Sequence, residues 1–293
     1  MNSNAGGVAL GRVLVTGADG SIARALVASL AAPGNEVWGT TRRADRVASR
    51  TTLLDLAEPP SEWTLPDGRF DVAFLCAAVT SQDRCGAEPE LTHRINVTHT
   101  VALARRLVSQ GTFVVFLSTN LVFDGETPLA KPETAYSPRS AYGAQKAEAE
   151  QRLLALGENV AVVRLGKVIA PRMALFDGWI EALRAQREIR PFDNLLMAPI
   201  SLGFAVDALV RVAAVRRPGI VHANAARDMS YAHAARAIAK RIDADPRLVE
   251  PSKGVFSPHV CSPRYAALDA SGLASLGIEA PSPEAAFDAV VSP

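Results

Sequence analysis

The chain has 293 residues, of which 48% are hydrophobic, and a formal net charge of +1 at pH 7. This length suits one α/β domain with an elaborated second lobe, or two modest domains that share an interface. The near-neutral charge provides no basic field, so the sequence predicts no nucleic-acid partner. No run of about 18 apolar residues occurs, and we therefore expect no membrane partner.

The cysteines and the first residues indicate a compartment. Cys76, Cys85 and Cys261 are odd in number and widely spaced, a pattern more typical of a reducing compartment than of a disulfide framework. None has a histidine at zinc-ligand spacing, so we expect no metal. Residues 1–7 contain neither the cationic region nor the apolar run of a signal peptide. The sequence therefore predicts a cytoplasmic protein.

The first predicted elements are a buried strand over residues 13–16, a glycine turn, and a helix from Ser21 to about Ala32. Gly17 permits the tight turn, and Gly20 lets the backbone approach a ligand closely. Such a turn directs backbone N–H groups and the positive end of the helix dipole at a pyrophosphate. We predict a dinucleotide site with the residues Gly17, Asp19, Gly20, Ser21 and Ile22. A purely structural turn in another α/β domain is the alternative.

The residues after the second strand indicate which dinucleotide binds. This strand is predicted over Glu36 to Thr41, and Arg42 and Arg43 follow it. An NAD-specific fold has an acidic residue here for the ribose hydroxyls, whereas an arginine suits the 2′-phosphate of NADP. The sequence therefore favours NADP(H), with NAD(H) as the second choice. A solvated arginine pair in a loop is the alternative to any such contact.

The next two strands bring further candidates to the same edge of the sheet. A short third strand is predicted over residues 53–56, where a carboxylate can accept a hydrogen bond from the adenine amino group. A fourth strand over residues 71–76 is apolar throughout, as expected for a parallel strand covered on both faces. Small residues after it leave room for a nicotinamide ribose. The cofactor candidates here are Asp55, Leu56, Ala77 and Ala78.

The rest of the chain alternates helices with strands. Periodicity and apolar runs predict helices over 88–108, 140–156, 173–187, 204–216, 230–242 and 283–290, and strands over 112–117, 159–165 and 219–223. Residues 195–200 are predicted to form an apolar loop. This alternation is typical of the α/β class, here a Rossmann-type doubly wound parallel sheet with helices on both faces.

Two groups of polar residues in this part of the chain carry chemistry. Ser118, Thr119 and Asn120 follow the fifth strand, at the carboxyl edge where open parallel sheets bind ligands. Tyr142 and Lys146 are four residues apart and share a helix face. A neighbouring ammonium favours the phenolate, which is expected to lower the pKa of Tyr142 toward neutrality. Taken alone, such a pair is more often a solvated helix face.

Together these motifs resemble the extended short-chain dehydrogenase/reductases. Their order along the chain is Thr16-Gly17-x-x-Gly20, Asn96, Ser118-Thr119 and Tyr142-x-x-x-Lys146. Within that superfamily, residues 118–125, 142–146 and 162–165 resemble the dTDP-4-dehydrorhamnose reductase branch, and the likeness covers nearly the whole chain. The resemblance implies an NAD(P)-binding Rossmann domain over 8–169, to which 200–225 return. It also implies a smaller C-terminal substrate-binding lobe from 170–199 and 226–293.

The resemblance further implies catalytic roles. A reduced nicotinamide gives a hydride to a ketone, and Tyr142 donates a proton to the forming alkoxide. Lys146 binds the nicotinamide ribose and tunes Tyr142, while Thr119 hydrogen-bonds the substrate oxygen. Asn96 supports the lysine, often through water.

The resemblance also implies which residues contact the substrate. The candidate contacts there are Val79, Thr80, Asn120 and Lys167. Asn120 stands where this branch usually has an aspartate, and residues 165–170 replace an aromatic-containing stretch. The resemblance implies a small-molecule substrate and, by analogy with relatives that pair through the helices bearing Asn96 and Tyr142, a homodimer.

The expected function is NADPH-dependent reduction of a ketone on a nucleotide-activated deoxysugar or a related small carbonyl compound. One alternative is a nucleotide-sugar epimerase or dehydratase that keeps NAD tightly bound. An alternative of another class is a non-catalytic NADP-binding regulatory subunit, because the regulatory subunit of S-adenosylmethionine synthetase resembles the same branch.

Overall fold

The computed structural model describes residues 8–257 and 259–290. Its strands are β1 (Gly11–Val15), β2 (Asn35–Thr41), β3 (Thr51–Leu53), β4 (Val72–Leu75), β5 (Phe113–Thr119), β6 (Val160–Leu165), β7 (Lys167–Ile169), β8 (Leu196–Met197), β9 (Pro199–Ser201), β10 (Gly219–Ala223) and β11 (Met229–Ser230). Its α-helices are α1 (Ser21–Leu30), α2 (Gln82–Ala87), α3 (Pro89–His93), α4 (Thr100–Ser109), α5 (Ala141–Leu154), α6 (Ala174–Arg184), α7 (Leu202–Ala214) and α8 (Tyr231–Arg241).

Seven of these strands form one sheet in the order β10-β6-β5-β4-β1-β2-β3. Every neighbouring pair in it is parallel. The direction in which the chain adds strands reverses between β1 and β4, so the connections at their carboxyl ends diverge and leave a crevice. The predicted Rossmann-type doubly wound sheet is confirmed.

Helices cover both faces of the sheet. On one face α1 and α7 pack through residues such as Leu26 and Leu209. On the other face α4 and α5 pack through residues such as Leu107 and Leu153. Strand β5 lies between these layers and is buried along its whole length, which explains its continuous apolar run.

A separate apolar core lies outside the sheet. It joins α6 and α8 to the C-terminal residues through Phe176, Trp179, Ile238 and Phe287. The rings of Phe176 and Phe287 meet edge to face, with centroids 5.4 Å apart. The division of the chain at 169/170 stays a prediction, and residues 291–293 of the predicted lobe lie outside the described residues.

The predicted helix over 88–108 is confirmed as a continuous helical run over 89–109, but its middle is π-helical rather than α-helical. The chain forms α2 and α3, a π-helical stretch over Arg94–His99, and then α4. Pro89 lacks an N–H and therefore begins α3 rather than continuing α2. The π stretch carries Asn96, whose side chain is bonded to the loop after β4. A tertiary contact thus accompanies the break in the regular helix.

The third strand is also misplaced in the prediction. It covers Thr51–Leu53 instead of residues 53–56. The chain leaves the sheet after Leu54, whose N–H still donates to the Thr41 carbonyl at 2.8 Å. Asp55 then accepts from the Ala57 N–H at 2.8 Å, which is a turn and not a strand.

Short elements account for the other differences. The predicted apolar loop over 195–200 contains β8 and β9, which pair with β11 and β7. The predicted C-terminal helix over 283–290 is a 3₁₀ helix over Pro283–Phe287. Elements of two to six residues such as α2, β7 and β11 carry too little periodicity to be predicted from sequence.

Within the described ranges, every helix is too short or too polar to cross a membrane. The same part of the chain contains no group of three histidine, cysteine or acidic side chains that could hold a metal ion. Cys76, Cys85 and Cys261 are free thiols.

A buried ion pair joins α5 to β6. Arg164 and Glu150 are both inaccessible to solvent, with Nη2 and Oε2 2.7 Å apart. Tyr136 donates to Glu150 at 3.0 Å, and Arg164 donates to Nε2 of His222 at 3.2 Å. His222 uses Nδ1 to donate to the Asp269 carbonyl at 2.9 Å, which fixes it as a neutral tautomer. Burial and the charge of Arg164 lower the pKa of His222 from 6.5 to about 4.

We expect His222 to make stability depend on pH. Its pKa is lower in the folded state, so the unfolded chain takes up the proton first as pH falls. The contribution is fully present above pH 6.5 and is lost as pH falls toward about 4, a loss of about 3 kcal/mol in the free energy of unfolding. Urea unfolding of the wild type and of His222→Gln across this range measures it.

The glutamine amide can accept from Arg164 and donate to Asp269, but it does not titrate. The stability of the variant is therefore expected to fall less than that of the wild type over this range. Parallel pH profiles would show that His222 contributes nothing to acid sensitivity.

Candidate active site

A cleft of about 600 Å³ opens at the carboxyl edge of the sheet, beside the crevice between β1 and β4. The wall on the sheet side consists of Gly17, Gly20, Ser21, Ile22, Ala23, Cys76, Ala78, Thr80, Gln82, Leu117, Ser118, Thr119, Asn120, Leu121, Tyr142, Lys146, Leu165 and Gly166. The opposite wall consists of Lys167, Val168, Leu195, Leu196, Met197, Ala198, Tyr231, Val260, Cys261, Pro263 and Ala266.

The glycine turn forms one end of this cleft. Gly17 has φ +66°, and a Cβ there would lie 3.0 Å from the Cα of Ala77, so only glycine fits without strain. Helix α1 starts after Gly20 with no side-chain cap. The N–H groups of Ser21 and Ile22 belong to its first turn, where no intrahelical acceptor exists. This open cradle fits the pyrophosphate of a dinucleotide.

Thr16 holds the turn against the end of β4. Its hydroxyl accepts from the N–H of Cys76 at 3.0 Å and from that of Ala77 at 3.1 Å. The turn is also pinned to β2, because the N–H of Gly17 donates to the hydroxyl of Thr40 at 3.1 Å. Ala78 lines the cleft and Ala77 backs the glycine, so both predicted small residues stand beside the turn.

The side chains at the end of β2 lie outside this cleft. Asp19 accepts a hydrogen bond from the hydroxyl of Thr41 at 2.5 Å, which links the turn to β2. Arg43 is paired with Asp45 at 2.9 Å, and that carboxylate raises the pKa of its guanidinium. Arg42 is exposed and has no ion-pair or hydrogen-bond partner among the described residues. Of the two predicted arginines, Arg42 is therefore the one available to a phosphate.

The two candidates after β3 have structural contacts. Asp55 closes the turn described above, and its backbone carbonyl accepts from the indole N–H of Trp63 at 3.1 Å. Leu56 is buried, and its carbonyl accepts from Nδ1 of His99 at 2.7 Å. Neither lines the cleft, so their contact with adenine stays a prediction.

Three polar residues at the end of β5 face or flank the cleft. The hydroxyl of Thr119 accepts from the Leu121 N–H at 3.2 Å. Asn120 donates from its amide to the Ala266 carbonyl at 3.1 Å and so joins the two walls. Ser118, which the sequence also placed at this edge of the sheet, has a buried hydroxyl with no hydrogen-bond partner within the described structure. A donor without a partner in a ligand cleft is suited to a ligand atom.

Helix α5 brings Tyr142 and Lys146 to the same cleft. Lys146 is buried, donates from Nζ to the Leu117 carbonyl at 2.5 Å and lies 3.8 Å from the centroid of the Phe116 ring. Burial lowers the pKa of this lysine to about 7. The hydroxyl of Tyr142 has no hydrogen-bond partner in the described part of the chain, and burial raises its pKa.

The expected lowering of the Tyr142 pKa by Lys146 is therefore wrong for this arrangement. Burial of the phenol raises its pKa, and the ammonium of Lys146 bonds to the Leu117 carbonyl rather than to the tyrosine. With or without this shift, the phenol is protonated at neutral pH. That is the state required of a proton donor.

Asn96 supports the cleft from behind. Its carbonyl oxygen accepts from the Val79 N–H at 2.8 Å, and its amide donates to the Val79 carbonyl at 2.9 Å. The amide also donates to Gln145 on α5 at 2.8 Å. These contacts fix the loop after β4 relative to α5, and none of them reaches Lys146 directly. A contact through water stays a prediction.

The substrate candidates separate into two groups. Thr80, Asn120 and Lys167 line the cleft, whereas Val79 is tied to Asn96 behind it. The residues of the opposite wall were mostly not predicted as site residues; they include Tyr231 and residues from the segments 195–198 and 260–266. The only available signal was the apolar run at 195–200, which fits a core as well as it fits a wall.

A family model described as "RmlD substrate binding domain" matches residues 11–292. The chain belongs to this family. The match covers both walls of the cleft and agrees with the dTDP-4-dehydrorhamnose reductase branch predicted from the motifs.

The chain is also similar to individual proteins. dTDP-4-dehydrorhamnose reductase of Mycolicibacterium smegmatis is 29% identical over 283 residues, covering 91% of this chain and 80% of that protein. Methionine adenosyltransferase 2 subunit beta of Xenopus tropicalis is 30% identical over 155 residues, 53% of this chain and 46% of that protein. The crystal structure of Bacillus anthracis dTDP-4-dehydrorhamnose reductase in complex with NADP shares the fold, with a TM-score of 0.81 at 20% identity over 95% of this chain and 96% of that one.

The two arginines after β2 can be distinguished experimentally. We expect Arg42→Ala to weaken NADPH binding about tenfold, because a charged hydrogen bond to the 2′-phosphate contributes roughly 1.5 kcal/mol or more. NADH binding should not change, since NADH lacks that phosphate. Titration of nicotinamide fluorescence measures both affinities.

Arg43→Ala is the matched control. Its guanidinium is occupied by Asp45, so we expect a smaller loss of NADPH affinity. An equal loss for NADPH and NADH in Arg42→Ala would rule out a contact with the 2′-phosphate.

Proposed function

We propose that this protein is an NADPH-dependent reductase of a ketone on a nucleotide-activated deoxysugar. The observation that carries the proposal is the convergence of Thr119, Tyr142 and Lys146 on the cleft that begins at the glycine turn. The relatives named dTDP-4-dehydrorhamnose reductase, one of them crystallised with NADP, support both the substrate class and the cofactor.

NADPH, when bound, supplies the hydride that reduces the carbonyl carbon. Tyr142 donates its phenolic proton to the carbonyl oxygen, so that the ketone becomes an alcohol and the phenolate is reprotonated from solvent. Thr119 hydrogen-bonds the same oxygen and orients it. Lys146, in its protonated form, places a positive charge near the oxygen where negative charge develops. The glycine turn holds the pyrophosphate at the opposite end of the cleft.

Replacement of the proton donor tests this reaction. We expect Tyr142→Phe to lower the turnover of a dTDP-4-keto-6-deoxy sugar by at least about a hundredfold, the scale of general acid catalysis. The affinity for NADPH should change little, since the phenyl ring is kept. Loss of reduced nicotinamide absorbance measures turnover, and nicotinamide fluorescence measures binding.

Tyr265→Phe is the control, because Tyr265 itself, unlike its neighbours Pro263 and Ala266, does not line the cleft. It should behave as the wild type. Unchanged turnover in Tyr142→Phe would exclude the tyrosine as the acid.

A non-catalytic NADP-binding subunit is a second candidate, favoured by the likeness to methionine adenosyltransferase 2 subunit beta over about half of the chain. It predicts that NADPH binds but that the wild type reduces no ketone. It also predicts that adding this protein changes the activity of a methionine adenosyltransferase. Consumption of NADPH with the keto sugar decides against it.

A further inference from the structure

Lys167 occupies a fixed position at the junction of the two walls. It begins β7, which pairs with β9, and its N–H donates to the Ala198 carbonyl at 3.1 Å. The preceding Gly166 packs so closely that a Cβ would collide with that carbonyl and with Asn224. The backbone that carries Lys167 is therefore held on both sides, and its side chain lines the cleft.

The ammonium of Lys167 has no ion-pair or hydrogen-bond partner among the described residues, whereas several exposed arginines, such as Arg84 and Arg247, are paired with carboxylates. Desolvation lowers its pKa. No carboxylate of the cleft wall compensates its charge, because the described lining residues include only two charged side chains, Lys146 and Lys167. Lys167 is exposed to the cleft, and its uncompensated charge favours an anionic ligand.

The two lysines have different surroundings. Lys146 bonds to the Leu117 carbonyl and lies on the side of the sheet where the nicotinamide is expected. Lys167 lies across the cleft, on the wall that also contains Leu196, Met197 and Tyr231. This wall offers apolar surface beside one positive charge, which suits a nucleoside joined to a phosphate.

We propose that Lys167 binds the diphosphate of the nucleotide-sugar substrate and thereby selects a phosphorylated ketone over a neutral one. The proposal rests on the proposed function for the nature of the substrate. Lys167 is a substrate-binding residue in it and takes no part in the chemical step.

The test measures binding without turnover, with the protein saturated in NADP⁺ so that the glycine turn is occupied. Calorimetry is performed with dTDP, thymidine and inorganic pyrophosphate on the wild type, Lys167→Met, Lys167→Arg and Lys240→Met. Methionine keeps the apolar stem but removes the charge. Lys240 is exposed on α8 and does not line the cleft, so it controls for the loss of one positive charge.

We expect Lys167→Met to weaken the binding of dTDP and pyrophosphate about tenfold or more, the range for a hydrogen bond to a charged group. Thymidine binding should not change. Lys167→Arg should retain most of the affinity, and Lys240→Met should match the wild type. In the wild type, dTDP affinity should fall as salt is raised, and this dependence should be weaker in Lys167→Met. With the keto sugar, KM should rise about tenfold while kcat stays within about twofold.

Two other outcomes are distinguishable. Equal dTDP affinity in the wild type and Lys167→Met would overturn the role of Lys167 and leave the proposed reductase intact. If dTDP and thymidine do not bind but pyrophosphate binds through Lys167, the anion site stands and the nucleotide-sugar substrate is wrong.

Discussion

The geometry of the cleft depends on how the ends of β1 and β4 are tied together. The parallel pairing of β1 with β4 ends at Val15 and Phe74. Beyond it, the hydroxyl of Thr16 accepts hydrogen bonds from the N–H groups of Cys76 and Ala77, which follow β4. A buried N–H without an acceptor costs about 1–3 kcal/mol of stability. Because it satisfies these two N–H groups, the Thr16 hydroxyl holds the loop with Ala77 and Ala78 against Gly17. The two loops that would flank a dinucleotide are thus fixed to each other before any ligand contributes.

The fold could be predicted where one interaction pattern dominates a long segment. Strands β4, β5 and β6 are covered on both faces and each contains an unbroken run of at least four apolar residues. Prediction failed where distant residues decide the local structure. The π stretch around Asn96 accompanies hydrogen bonds to Val79 and Gln145, and β8 exists because β11 lies beside it. No local window of sequence contains those partners.

In the candidate site, too, features set by local sequence could be predicted and features set by distant residues could not. Motif spacing located Gly17, Tyr142 and Lys146, because a turn and one helix face have fixed geometry. It could not locate the wall formed by segments 195–198 and 260–266, which depends on how the chain returns to the sheet. The predicted lowering of the Tyr142 pKa was also wrong, because that prediction considered the neighbouring charge of Lys146 and not the burial of the phenol. In the structure the phenol is desolvated and the ammonium has a carbonyl partner.

The buried ion pair of Arg164 and Glu150 limits which substitutions this chain can tolerate. Removing either partner leaves an uncompensated buried charge, which typically costs 3–5 kcal/mol, whereas an apolar pair of similar volume can be neutral. An evolutionary path to that apolar pair therefore passes through a poorly folded single variant. Since Glu150 lies on the same helix as Lys146, helix α5, which carries the proposed proton donor, is tied to β6 by residues that can be exchanged only together.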